Sequence, residues 1–154
     1  MKIKIVVYSK SGNTLLVAEK VKNALISKGN KVDLERLEVF NEEQPVNTEI
    51  RLKNMPEIAS YDAVIFASPV NGFSLAQPMK IYLSKIPDIK DKNVYCFVTQ
   101  HLKKAWLGGN RAVKEIKSAC KKKGGNILMS GIVNWSSEKR KEQISDIVKR
   151  FTIQ

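Results

Sequence analysis

Apolar residues come in short runs along this chain, and most runs lead into a stretch with helical spacing. Residues 2–8, KIKIVVY, are β-branched and apolar and predict a buried strand. Thr14 to Lys28 places Val17, Val21, Ala24 and Leu25 on one stripe, which predicts a helix stopped by Gly29 and Asn30. Residues 31–37 alternate through Val32 and Leu34 and predict an outer strand. Residues 38–60 are mixed and polar, with Pro45 and Pro56, and predict a loop with a short helix. A buried strand is expected at 62–67. A helix should start at Pro78, which suits a first turn, and run to Lys85 with Met79, Leu83 and Ile86 inward. Residues 92–99 read as the fourth strand. Asn110 to Lys122 reads as a helix buried through Ala112, Val113, Ile116, Ala119 and Cys120. Residues 126–133 read as the fifth strand. Ser136 to Phe151 reads as a closing helix with Ile144, Ile147, Val148 and Phe151 on its apolar side.

Five strand-helix units with strands this apolar predict a three-layer α/β/α domain around a five-stranded parallel sheet, spanning 1–154. Ligands of such sheets bind outside the carboxyl ends of the strands, where the strand order reverses. The segments expected there are 8–14, 68–76 and 99–109, and all three are rich in glycine, hydroxyl and amide groups.

The first segment, SKSGNT, leaves strand one and enters helix one. Unpaired N–H groups and the helix dipole make such a junction an anion site. Gly12 lets the backbone curl, and Ser9, Ser11, Asn13 and Thr14 add side-chain donors beside Lys10. Simple capping by Asn13 or Thr14 would need only one of them. The Walker and dinucleotide glycine patterns are absent, and so is C-x5-R. In the second segment Ser68 and Pro69 end a buried strand, and Val70 leads into Asn71-Gly72, a turn dipeptide tolerant of positive φ. The third segment, TQHLKKAWLGGN, is long for a strand-helix connection, and such length often carries function. It holds Thr99, Gln100, the lone histidine His101, Trp106 as a candidate stacking ring, and Gly108-Gly109.

The SKSGNT segment after strand one resembles the phosphate loop of the flavodoxin family, and the layout of the whole chain resembles its short-chain branch. The resemblance implies strand order 2-1-3-4-5, FMN as cofactor, and an electron-transfer protein. It implies that Ser9, Lys10, Ser11, Gly12, Asn13 and Thr14 hold the FMN phosphate. Ser68-Pro69 resembles the dipeptide preceding the family's flavin loop. Asn71-Gly72 matches the peptide that contacts flavin N5 there, and Thr99, Gln100 and His101 lie where the family contacts the pyrimidine edge.

Charge changes this picture. Well-known flavodoxins are acidic, whereas this chain carries +12. Residues 1–99 hold 14 basic and 11 acidic residues, and residues 100–154 hold 13 and 4. Lys103, Lys104, Arg111, Lys114, Lys117, Lys121, Lys122 and Lys123 therefore predict docking to an acidic redox partner. No RNP, helix-turn-helix or KH pattern supports nucleic-acid binding, a minor alternative. No apolar run is long enough to span a membrane and no signal-peptide pattern opens the chain, so a cytoplasmic monomer or weak dimer is expected. Cys96 and Cys120 lie in apolar contexts and read as reduced core residues. No catalytic or metal-ligand constellation is visible, and flavin chemistry needs none, because the cofactor supplies the redox centre. An electron carrier is expected ahead of an FMN-dependent NAD(P)H or quinone reductase, because 154 residues leave little chain for a substrate pocket over the ring.

Overall fold

A computed structural model describes residues 1–40, 50–101 and 105–152. Strand β1 (Lys2–Val7) leads to helix α1 (Asn13–Ser27), β2 (Lys31–Arg36), β3 (Ala63–Asn71), the two-residue β4 (Ser74–Leu75) and α2 (Gln77–Lys85). Then follow β5 (Asn93–Gln100), a single 3₁₀ turn at Ala105–Leu107, α3 (Gly109–Lys122), β6 (Asn126–Asn134) and α4 (Arg140–Phe151). The path through the sheet is β2-β1-β3-β5-β6, all parallel, with β4 antiparallel on β3. Counting only the five parallel strands, this is the expected order 2-1-3-4-5; β4 is the addition.

The period of two along the strands sorts side chains onto two faces. Ile3, Ile5, Val7, Ile65 and Phe97 meet Val17, Val21, Ile147 and Phe151 beneath α1 and α4. Val6, Val64, Phe66, Cys96 and Val98 meet Met79, Leu83, Val113 and Ile116 beneath α2 and α3. Burial pushes both cysteine thiols up to about 12, so they remain protonated core groups.

Two expectations change. No helix forms among the described residues of 38–60. Instead Val39 and Leu52 make an antiparallel bridge, with Phe40 N–H donating to the Arg51 carbonyl at 3.0 Å. The described residues on either side of 41–49 contribute to the core beneath α2. Leu37 and Ile58 are buried, and Tyr82 donates its hydroxyl proton to the Pro56 carbonyl at 2.7 Å. Helix α4 starts at Arg140, four residues after its expected start, because Asn134 to Lys139 turn first and Ser137 N–H bonds the Asn134 carbonyl.

Candidate functional site

At the carboxyl end of the sheet, β3 and β5 run past the end of β1, with Pro69 beside Thr99. Together with the β1–α1 loop they enclose a cleft of about 390 Å³, within the usual range of about 300–1,000 Å³ for ligand pockets. Lys10, Ser11 and Asn13 line it from the first loop, Pro69, Val70 and Asn71 from the second, and Thr99, Gln100 and His101 from the third.

The first loop owes its shape to internal bonds. Ser9 is buried, and its Oγ accepts the N–H groups of Gly12 and Leu15, each at 3.2 Å. Gly12, at φ +97°, caps α1 without a side-chain cap bond, so neither Asn13 nor Thr14 acts as the cap. Asn13 N–H reaches only Ser11 Oγ, at 3.5 Å, and Thr14 N–H has no acceptor among the described residues. These donors, at the positive end of α1, suit an anion. Thr14 itself is buried, and its hydroxyl bonds that of Thr99 at 2.7 Å, tying the first loop to the third. A Thr14→Val variant should cost about 1–3 kcal/mol by orphaning the buried Thr99 hydroxyl, whereas pairing it with Thr99→Val should recover most of that loss. Chemical denaturation of the three proteins checks this; an additive double variant would contradict it.

The second loop is a hairpin. Asn71 pairs with Ser74, leaving Gly72 (φ +57°) and Phe73 (φ +64°) as a two-residue turn, one position beyond the expected Asn-Gly turn. Ser68 is fully buried and donates to the Pro69 carbonyl at 3.0 Å. In the third loop Gln100 Nε2 donates to Asn134 Oδ1 at 2.5 Å, and Gln143 Oε1 accepts the Asn134 N–H at 2.8 Å.

Eight expected site residues do not line the cleft. Ser9, Gly12, Thr14 and Ser68 shape the loops from beneath, and Gly72 turns the hairpin. Trp106 is 71% exposed and stands outside. Gly108 and Gly109 are packing positions: a Cβ on Gly108 would stand 2.8 Å from Phe73 Cα, and one on Gly109 would stand 3.0 Å from Ile132 Cγ2. Lys103 and Lys104 lie outside the described residues.

Arg36 went unread in the sequence. At the carboxyl end of β2, it donates from Nη2 to the Ser9 carbonyl at 2.5 Å and brings a cation under the first loop. The signal was positional: in the order 2-1-3, the last residue of strand two stands beside the loop that follows strand one.

Among the described residues, no helix is long and apolar enough to cross a membrane, and no cluster of three or more His, Cys, Asp or Glu could hold a metal. No protein-family model and no curated protein matches the chain. Its likeness is to solved structures. Oxidised Flavodoxin 1 from Bacillus cereus is 16% identical, covers 98% of this chain and 97% of its own, and superposes with a TM-score of 0.72. The flavodoxin, WrbA-like protein from Agrobacterium tumefaciens is 15% identical with a TM-score of 0.72, over 98% of this chain and 94% of its own. A flavoprotein in complex with FMN from Lactobacillus acidophilus NCFM is 21% identical with a TM-score of 0.63, over 92% and 97%. The chain thus has the flavodoxin-like fold.

Proposed function

We propose that this chain binds FMN in the three-loop cleft and carries electrons between protein partners. The observation that supports this is the convergence of three polar loops, at the carboxyl ends of β1, β3 and β5, on one cleft beside the start of α1, where the Thr14 N–H has no acceptor among the described residues. The residues present fit the group. The Asn13 and Thr14 N–H groups, with Ser11 and Asn13 side chains, suit its phosphate. Pro69 and Val70 provide an apolar wall, and Asn71, Thr99, Gln100 and His101 provide polar groups for the ring edge. Bound FMN supplies one- and two-electron redox chemistry; the protein binds it, orients it and limits water around it.

A second reading, an FMN-dependent NAD(P)H or quinone reductase, draws on the likeness to the WrbA-like protein. The two readings separate in steady-state assays. The FMN-loaded protein should oxidise NADH or NADPH, with a quinone present, no faster than free FMN at equal concentration. Once chemically reduced, it should pass electrons to an acidic one-electron acceptor protein at a rate that falls as salt rises. Sustained turnover above free FMN would favour the reductase, and a rate that rises with salt would contradict docking through the basic surface.

A further inference from the structure

Helices α1 and α4 leave an open trough of about 580 Å³ between them, with Leu16, Trp135, Ile144 and Val148 as its apolar floor and Lys20, Arg140 and Lys141 along its rim. Leu16 is 43% exposed there, so the floor presents apolar surface to solvent. Arg140 stands over the Trp135 ring at 4.8 Å from its centre and donates to the Trp135 carbonyl at 3.0 Å, so its charge is held in place. No acidic residue lines the trough, and none of the three cations joins an ion pair among the described residues. The acids nearest in sequence, Glu19, Glu138 and Glu142, are exposed and form no ion pair with a rim cation.

A larger groove, about 710 Å³, lies between α2 and α3 and is also basic. There Glu115, at 3.3 Å from Lys80 and 3.5 Å from Arg111, offsets part of the charge, while Lys114, Lys122 and Lys123 join no ion pair among the described residues. The α1–α4 trough sets an apolar floor, with Leu16 exposed, beside three cations and no acidic residue in its lining. It also adjoins the candidate site: Trp135 N–H bonds the carbonyl of Gln100, a cleft residue, at 2.7 Å, and Leu16 lies one turn along α1 from Gly12.

We infer that the α1–α4 trough docks an acidic amphipathic helix of a partner protein, its apolar residues on Leu16, Trp135 and Val148 and its carboxylates against Lys20, Arg140 and Lys141. Charge complementarity selects an acidic occupant. The apolar floor selects a protein segment over a nucleic acid, and an open trough between two helices accepts a helix more readily than it encloses a small molecule. Tryptophan and arginine are the residue types that dominate binding energy at protein interfaces, and Trp135 and Arg140 both line the trough. The trough and its occupant stand without the cofactor; that the partner exchanges electrons rests on the function proposed above.

The probe is a fluorescently labelled helical peptide of about 16 residues, with leucines at i, i+3, i+4 and i+7 and glutamates on both flanks. It should bind the whole protein and shift the amide resonances of α1 and α4. Lys20→Glu combined with Lys141→Glu should weaken it about tenfold or more, and Leu16→Ser about threefold or more. Lys121→Glu with Lys122→Glu, an equal change of charge on α3, should stay within about threefold. The inference falls if the peptide does not bind, if the α3 variant loses as much as the α1–α4 variant, or if a peptide with serines for leucines binds equally. It also falls if an oligonucleotide or an anionic vesicle displaces the peptide at lower concentration than its unlabelled form does. FMN titrations of the same samples separate the two ideas. Peptide binding without FMN binding would leave the trough and remove the cofactor.

Discussion

Gly108→Ala should destabilise the protein by about 2–6 kcal/mol and weaken the candidate site together with the fold. Two costs add. Gly108 has φ +128°, a conformation that strains any L side chain by about 1–3 kcal/mol. A Cβ there would also stand 2.8 Å from Phe73 Cα and 2.8 Å from Val70 Cγ1, and relieving such overpacking costs about 1–3 kcal/mol. Because one of the crowded atoms is backbone, the hairpin itself must move, and Val70 lines the cleft. At about 2–4 °C per kcal/mol, the melting temperature should fall by about 4–24 °C. Gly29→Ala is the control: it has φ +92° but open space around it, so it carries the strain without the clash and should cost about 1–2 kcal/mol. Thermal unfolding of both variants checks the expectation. Equal losses would mean that contact between the second and third loops contributes nothing.

The second large effect is discrimination by phosphate. FMN and riboflavin differ only in that group, which carries about −1.5 to −2 charges when bonded as a monoester. Each hydrogen bond to a charged group contributes about 1.5–3 kcal/mol. Two such bonds at the start of α1 therefore predict that FMN binds about 100-fold or more tightly than riboflavin. Ser11→Ala should lower FMN affinity by about 1–3 kcal/mol and leave riboflavin unchanged. Arg36→Met should also act mainly on FMN, by loosening the Ser9 carbonyl it holds and by removing a nearby cation. Fluorescence-quenching titrations give all the ratios. Equal affinity for FMN and riboflavin would place the phosphate elsewhere.

Most of the sheet was legible because buried parallel strands have no wet face, so runs such as KIKIVV declare themselves. The three loops were legible because the polar residues that shape them stand immediately after those runs. What remained hidden depended on contacts distant in sequence. Thr14 was read as a donor to a ligand, but its partner, Thr99, lies 85 residues away. Gly108 and Gly109 were read as candidate site residues, whereas a Cβ on Gly108 would meet the hairpin of the second loop. The hairpin was missed because Phe73, a bulky residue at positive φ, breaks the turn rule that pointed one residue earlier. The segment 38–60 read as partly helical because fold-level alternation asked for a helix there. A β-bridge and buried Leu37 and Ile58 cover that face instead.

The central claim, a flavin held in the three-loop cleft, is tested most directly by the visible spectrum of the purified protein after incubation with excess FMN and desalting. The account predicts a yellow protein that retains about one FMN per chain, with the flavin absorption bands shifted from those of free FMN, and less flavin retained by Ser11→Ala or Gly108→Ala. A colourless protein that unfolds at the same temperature with and without FMN would contradict it.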